Sequence, residues 1–398
     1  MRAHDYVLSG RRLLGLAMVF VGILCALAKF TRGNASHAYF GKAYAAQTPA
    51  GVQMPRVENA KIEARTVEGS LDAAFRAIAS QSEKPEWVGY SVDQIGGDHN
   101  TCCDNYRSSD GYCGTCRLER EHNENFGTTI EPRPQTQGTV KLEGARQLVV
   151  LYRLESRQVA RIRIASEDCT FDAGGLPFVW LTGVKAAESV ALLATYVYGS
   201  NFEDHGDHGR NLGHGALTAI ALHADPSADR ALESFVKPDQ REGLRKQAAF
   251  WMGAARGRSG FLALQNIAKS DPSSDLRAHV TFALFVSHEP GALEEMIRMA
   301  HDDASSHVRG QALFWLAQKA GQKAVGTITG AIENDPDTDV KRKAVFALSQ
   351  LPKDEGVPKL IEVAQTNRNP EVRKQAMFWL GQSNDPRALQ FFEQVLTK

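Results

Sequence analysis

The chain has 398 residues, with 46 basic and 46 acidic side chains and a formal net charge of zero. This length suggests two or three domains. Zero net charge argues against a dedicated nucleic-acid binder, which would carry an excess of basic residues, so no nucleic-acid partner is expected.

Residues 1–38 are typical of an export signal. Arg11 and Arg12 precede an apolar run of 16 residues, Leu13–Ala28. The run is short for a membrane span and typical of a signal-peptide core. Its alternative is an uncleaved N-terminal anchor, in which case only this segment would contact a membrane. Both interpretations predict an exported protein that is periplasmic, secreted or anchored in an inner membrane.

Residues 39–68 show no periodicity and are interpreted as a linker. The pattern of apolar and polar residues over 69–184 predicts a small α+β domain, which contains the cysteines. Its predicted elements are one helix, Ser70–Ser82, and four strands, Trp87–Val92, Gln147–Leu154, Val159–Ala165 and Phe178–Leu181. The four residues between the second and third strands have the length of a hairpin turn.

Four cysteines cluster in this domain, Cys102, Cys103, Cys113 and Cys116, and Cys169 follows. In an oxidising compartment, disulfides are the expected state, with one of the five cysteines left over. The alternatives are a tetrahedral zinc site and a redox-active pair, Cys113 and Cys116. Adjacent cysteines are not the usual zinc spacing, so no cofactor is expected and zinc stays the alternative.

A second group of polar residues offers weaker metal candidates, namely His205, Asp207, His208 and His214. Histidine and aspartate are good ligands for divalent transition metals. No two of them stand at the i, i+4 spacing of a metal-binding helix. A solvated loop is therefore the alternative interpretation.

The segment 185–398 predicts a stack of helical repeats. Five copies of a unit begin 32 residues apart, at Leu244, Leu276, Val308, Val340 and Val372. Each copy has a basic residue next and a phenylalanine six residues in, and a degenerate copy begins at Leu212. A period of this length, sought before any other pattern, indicates a solenoid.

The copy from Val308 shows the unit. Val308, Ala312 and Leu316 recur every four residues on one side of a first helix. Gly321 stands where that helix should end, and a second helix should stop at Asp335, before a proline. One pair of helices cannot bury its apolar sides alone, but stacked neighbours can.

This pattern resembles the HEAT repeat, of the short phycobilisome-lyase type. The resemblance rests on the Val-Arg-x-x-Ala-x-Phe core and on an acidic residue six before the basic one, as Asp271 before Arg277 and Asp303 before Arg309. It implies a hydrogen-bonded ladder between neighbouring repeats. The predicted fold class is mainly α, with a C-terminal HEAT-repeat solenoid preceded by the small α+β domain and the signal sequence.

Glutamine and tryptophan recur along the predicted first helices. Tryptophan follows the phenylalanine in alternate copies, and positions three, seven and ten of a helix lie within one strip. The predicted partner-binding ridge consists of Gln247, Trp251, Gln311, Trp315, Gln318, Gln350, Gln375, Trp379 and Gln382. The alternative is that the tryptophan rings belong to the core between repeats.

Two classes of function remain open. The chain has no GxSxG, HExxH or phosphate-loop motif, which favours a non-catalytic, exported scaffold that binds a protein or an extended peptide. The alternative is a metal- or redox-dependent enzyme that uses the cysteines or the His/Asp loop, like HEAT-type oxidoreductases or lyases. The deoxyhypusine hydroxylase family uses several His-Glu pairs, whereas this chain has one, His288-Glu289.

Overall fold

The computed structural model describes residues 54–96, 100–102, 105–107, 115–119, 128–129, 145–202 and 212–397. The predicted signal, residues 1–38, and much of the cysteine loop lie outside these ranges. Residues 52–398 form one compact unit. Within the described ranges no helix is long and apolar enough to cross a membrane.

The described strands form two sheets and a short hairpin. Their bounds are β1 Arg56–Glu58, β2 Ile62–Thr66, β3 Glu86–Asp93, β4 Asn100–Cys102, β5 Asn105–Arg107, β6 Thr115–Arg117, β7 Thr128–Thr129, β8 Gln147–Glu155, β9 Gln158–Ser166, β10 Thr170–Asp172 and β11 Phe178–Thr182. The larger sheet has the order β2-β11-β3-β8-β9, and the smaller one has the order β1-β10-β6-β7. β4 and β5 pair with each other.

The larger sheet is buried on both faces. Along β8, Val150 and Tyr152 face the helices, whereas Val149 and Leu151 face a second cluster that includes Phe171 of the smaller sheet. A strand covered on both sides reads as a continuous apolar run, as in the sequence of β8. The predicted hairpin is confirmed: Ser156 and Arg157 join β8 to β9 with φ of 51° and 65°, the left-handed geometry of a two-residue turn.

The predicted linker, residues 39–68, requires a correction. β1 and β2 lie inside it, and β2 pairs in parallel with β11 at the edge of the larger sheet. Four of the five residues of β2 are exposed, so the strand lacks the apolar pattern by which a sequence reveals a strand. Backbone pairing with β11 determines its structure.

Fourteen helices lie in the described residues. Their bounds are α1 Leu71–Gln81, α2 Ala186–Tyr198, α3 Leu212–Leu222, α4 Pro226–Phe235, α5 Glu242–Ala255, α6 Gly257–Ser270, α7 Ser274–Val286, α8 Ala292–Asp302, α9 Ser306–Ala320, α10 Gln322–Asn334, α11 Thr338–Ser349, α12 Lys353–Thr366, α13 Pro370–Gln382 and α14 Pro386–Leu396. The chain is thus mainly helical. One core cluster extends from Leu71 in α1 to Phe391 in α14.

A buried chain of hydrogen bonds joins the larger sheet to the first helices of the stack. Tyr90 Oη lies 2.9 Å from Tyr152 Oη and 2.7 Å from Ser189 Oγ in α2. Ser189 Oγ lies 2.8 Å from Nε2 of His223, which follows α3. Because every polar atom in this chain has a partner, the network can be buried at little cost and fixes the sheet against α2 and α3.

Candidate functional site

The first helices of the five copies, α5, α7, α9, α11 and α13, lie side by side. Each buries the stripe that opens its copy, so that Val308, Ala312 and Leu316 are all 0% exposed. These helices pack together more closely than the second helices α6, α8, α10 and α12. The first helices therefore form one continuous, closely packed row along the stack.

The ladder implied by the HEAT resemblance is present. Arg277 binds Asp303, in the loop that leads into the first helix of the next copy, through Nε and Nη2, at 2.8 and 2.9 Å. Arg309 binds Asp335 in the same way, at 2.7 and 2.9 Å, and Arg245 binds Asp271. Burial alone would raise the pKa of Asp303, but hydrogen bonds from Arg277 and from the Ser305 N–H outweigh it, and the pKa lies below its usual range.

The ladder ends between the fourth and fifth copies. Lys341 takes the place of the arginine, and its Nζ donates to Glu333 O at 2.6 Å. Asn367 takes the place of the aspartate, and its Oδ1 accepts from the N–H of Asn369 at 3.0 Å. This interface therefore lacks the Arg–Asp ion pair of the three preceding ones, two of which are bidentate.

An aromatic strip crosses the row of first helices. It consists of Phe250, Trp251, Phe282, Phe285, Phe314, Trp315, Phe346, Phe378 and Trp379. Phe250 stacks on Phe282 with ring centroids 5.8 Å apart, and Phe314 stacks on Phe346 at the same distance. Most rings are half-buried, and Phe378 is 54% exposed. The strip thus offers the edges of aromatic rings along all five copies.

Packing accounts for the alternation of tryptophan and alanine. The ring centroid of Trp315 lies 4.7 Å from that of Phe282 in the preceding copy, and the ring centroids of Trp379 and Phe346 are 4.8 Å apart. In the preceding copies, the residue after each of those phenylalanines is alanine, Ala283 or Ala347, and both are fully buried. A small residue in one copy therefore accompanies a large ring in the next, which gives a period of two repeats.

The predicted ridge residues differ in their exposure, and they do not form one continuous exposed surface. Trp315 is 5% exposed, so its ring belongs to the packing between repeats and interrupts the ridge. Trp251, Trp379, Gln247, Gln311, Gln318 and Gln375 are half-buried, and Gln350 and Gln382 are exposed. The phenylalanines were not among the predicted ridge residues. Their position off the buried stripe of each first helix is the sequence signal that would have indicated their partial exposure.

A pocket opens at the last of these helices. It has a volume of about 240 Å³ and lies between the end of α11, the start of α12 and α13. Three predicted ridge residues line it, namely Gln350, Trp379 and Gln382. Nε1 of Trp379 is shielded from water and has no hydrogen-bond partner. The pocket is therefore continuous with the aromatic strip through the Trp379 ring.

The cysteine and histidine candidates are only partly described. Cys102 lies on β4, and Cys116 lies on β6 with 1% exposure. Cys103 and Cys113 lie outside the described residues, so disulfides among these four cysteines stay a prediction. Cys169 is a free thiol in the core, and burial raises its pKa well above the usual value, which makes it unreactive.

His205, Asp207 and His208 also lie outside the described residues. His214 is on α3, with its ring 4.8 Å from that of Phe202. Among the residues that the structure describes, no three His, Cys, Asp or Glu side chains are grouped so as to hold a metal ion. The metal and redox alternatives therefore stay predictions.

Comparison with known proteins finds one matching family model and several solved structures of low similarity. The HEAT-repeat family model matches residues 327–398, and no curated protein matches the chain. Human deoxyhypusine hydroxylase, solved with glycerol, is 15% identical over 52% of this chain and 90% of its own, with a TM-score of 0.28. The YibA protein of Escherichia coli is 22% identical over 55% of this chain and 83% of its own, with a TM-score of 0.34.

The complex of CpcE and CpcF of phycocyanin lyase from Nostoc is 18% identical over 40% of this chain and 98% of its own, with a TM-score of 0.30. Similarities this low transfer no activity to this chain. The match to the family model coincides with the last repeats, where paired helices recur every 32 residues. The family match identifies HEAT repeats at residues 327–398, and the same 32-residue period of paired helices extends back to Leu244.

Proposed function

We propose that this protein is a non-catalytic scaffold that binds an extended peptide segment of a protein partner along the aromatic strip. The observation that supports the proposal is the continuity of half-exposed rings over five neighbouring first helices. Aromatic side chains that stay partly exposed on a packed surface are enriched at binding hot spots.

The residues that flank the strip suit a peptide backbone. Gln247, Gln311 and Gln375 occupy the same position in alternate copies and are half-buried beside the rings. An amide side chain both donates and accepts, so it can pair with the N–H and C=O of an extended chain. Lys343 and Lys374 are exposed on the same helices and favour a partner with acidic residues.

A peptide library displayed on phage and panned against the full chain tests this proposal. Phe378→Ser removes the most exposed ring of the strip, and we expect it to weaken the selected peptides by roughly tenfold or more, as for a typical hot-spot residue. Leu262→Ser is the control, because Leu262 is 49% exposed but lies on the second helix α6. The proposal fails if no peptide is selected, or if both variants bind equally well.

We propose in addition that the scaffold works outside the cytoplasm. The apolar run Leu13–Ala28 and the cysteine-rich loop support this location. Mass spectrometry of the mature chain, with and without thiol alkylation, tests both parts of it. An intact N-terminus on a cytoplasmic chain with every cysteine alkylated would contradict it. Elemental analysis of the same sample tests the metal-enzyme alternative, which requires about one equivalent of bound metal.

A further inference from the structure

The pocket beside Trp379 combines an apolar floor with a single ionisable side chain. Leu348, Val357 and Leu360 contribute the floor. Lys353, from the first turn of α12, is the one ionisable residue among those that line the pocket. Asp354 and Glu355 of the same turn do not line it, and Asp354 is bound by Arg387 at 3.1 Å. The charge inside the pocket is therefore positive.

Hydrogen-bond donors without acceptors surround this floor. Lys353 Nζ forms no ion pair with any residue that the structure describes. Its charge lowers the pKa of Asp385, but Arg387 contributes more to that shift. The helix α12 begins at Lys353 without a side-chain cap, and Asp354 and Glu355 in its first turn offset the positive end of its dipole, so Lys353 itself is the source of positive charge at the pocket.

The indole N–H of Trp379 is the second donor. It has no acceptor and is shielded from water. A buried N–H without an acceptor raises the free energy of the folded state. A turn of this half-buried ring that brings Nε1 into the pocket would give the N–H an acceptor, provided that the ligand supplies an oxygen atom.

We propose that this pocket binds an apolar group that carries a carboxylate, and that the natural source is the C-terminal residue of the partner peptide. Its side chain lies on the floor of Leu348, Val357 and Leu360, and its carboxylate accepts from Lys353 and Trp379. The inference rests on the proposed function, because the pocket adjoins the aromatic strip and would anchor the end of the bound segment. Capture of a terminal carboxylate is a known mode of peptide recognition.

Titration of the full chain with four probes tests the proposal: acetyl-Ala-Ala-Leu with a free carboxylate, the same peptide as its C-terminal amide, acetyl-Ala-Ala-Ser with a free carboxylate, and isovalerate. Calorimetry gives Kd, and tryptophan emission reports the environment of the indole. The acid should bind at least roughly tenfold more tightly than the amide, since hydrogen bonds to a charged group are the strong ones. The serine peptide should bind more weakly than the leucine peptide.

Two variants locate the binding, and a third is the matched control. Lys353→Gln and Trp379→Phe should each lose roughly fivefold or more in affinity for the acid, whereas their affinity for the amide should not change. Lys269→Gln removes the same charge from an exposed position on the second helix α6, outside both the pocket and the aromatic strip, and should leave both affinities as they are. Equal binding of acid and amide, no binding of any probe, or an unchanged Lys353→Gln would overturn the proposal.

Isovalerate distinguishes the two sources of the ligand. If it binds as tightly as the tripeptide, the pocket takes a free carboxylic acid, and the assignment to a peptide terminus is wrong. Failure of all four probes leaves the scaffold function standing, because that function is tested by Phe378→Ser and internal peptide segments. Conversely, if Phe378→Ser loses binding of internal peptide segments but keeps its affinity for the leucine acid, the strip and the pocket bind their ligands independently.

Discussion

His223 is a buried histidine whose tautomer is set by its neighbours. A carbonyl oxygen can only accept, so the 2.6 Å contact with Ala219 O places the proton on Nδ1. Nε2 then accepts from Ser189 Oγ, which accepts in turn from Tyr90 Oη. Burial, helped by the charge of Arg256, lowers the pKa of His223 from 6.5 to about 4. Protonation of Nε2 would reverse its hydrogen bond with Ser189 and place a charge in the core, so burial favours the neutral ring.

This pKa shift predicts a loss of stability in acid. The unfolded chain binds the proton near pH 6.5 and the folded chain near pH 4, so stability is complete above the first value and falls as the pH drops to the second. A shift of this size corresponds to about 3 kcal/mol. Urea midpoints of the wild type measured from pH 7 to pH 4 should show the fall, and His223→Gln should make it shallower without abolishing it, because burial also lowers the pKa of His279 to about 4. His301→Gln is the control, because that side chain is 85% exposed; a profile that is equally steep in His223→Gln would contradict the assignment.

At the scale of elements, one glycine lets two first helices touch. A Cβ built on Gly253 of α5 would overlap the carbonyl oxygen of Ala283 in α7. Backbone atoms cannot move aside as a flexible side chain can, so the helices would have to separate. Gly381 holds the same position in the last copy, and a Cβ there would meet nothing within 4 Å. The same residue type thus has two different roles at one repeat position.

Gly253→Ala and Gly381→Ala should therefore change stability in opposite directions. Forcing α5 from α7 should cost roughly 1–3 kcal/mol, as is typical of overpacking. Replacing glycine by alanine in an exposed helix should instead stabilise by up to about 1 kcal/mol. Thermal melts of both variants measure the difference. If Gly253→Ala melts no lower than Gly381→Ala, the close approach of the two helices is not as described.

The elements that the sequence predicted correctly are those with a periodic pattern. The 32-residue period located each first helix, and Gly321, with φ of 48°, ends α9 where the sequence placed the stop. β1 and β2 were missed, because pairing with distant strands determines them and their own residues are mostly exposed. At Trp315 the ridge prediction is wrong and the core alternative holds, because Phe282 and Phe285 of the preceding copy cover its ring, which a one-dimensional pattern does not show.

At the scale of the whole molecule, the stability of each repeat depends on its interfaces with the neighbouring repeats. Three interfaces carry a bidentate or buried Arg–Asp pair, whereas the interface between the fourth and fifth copies carries Lys341 and Asn367. In a stack whose copies contact only their neighbours, the weakest interface limits the unit beyond it. The last copy, which holds Trp379 and one wall of the pocket, should therefore open before the others.

Completing the ladder tests this argument. Lys341→Arg together with Asn367→Asp supplies the guanidinium group and the carboxylate that the other three interfaces have. Aspartate can also keep the cap that Asn367 makes, since Asp335 Oδ1 accepts in the same way from the N–H of Asp337 at 2.8 Å. Hydrogen exchange of α13 and α14 should slow in the double variant, with a coupling free energy of about 1 kcal/mol or more in the double-mutant cycle. Each single change leaves the bidentate Arg–Asp pair incomplete and should slow exchange less than the double variant does. A double variant that exchanges like the wild type would mean that aromatic packing between Phe346 and Trp379, and not the missing ion pair, determines how firmly the last repeat is held.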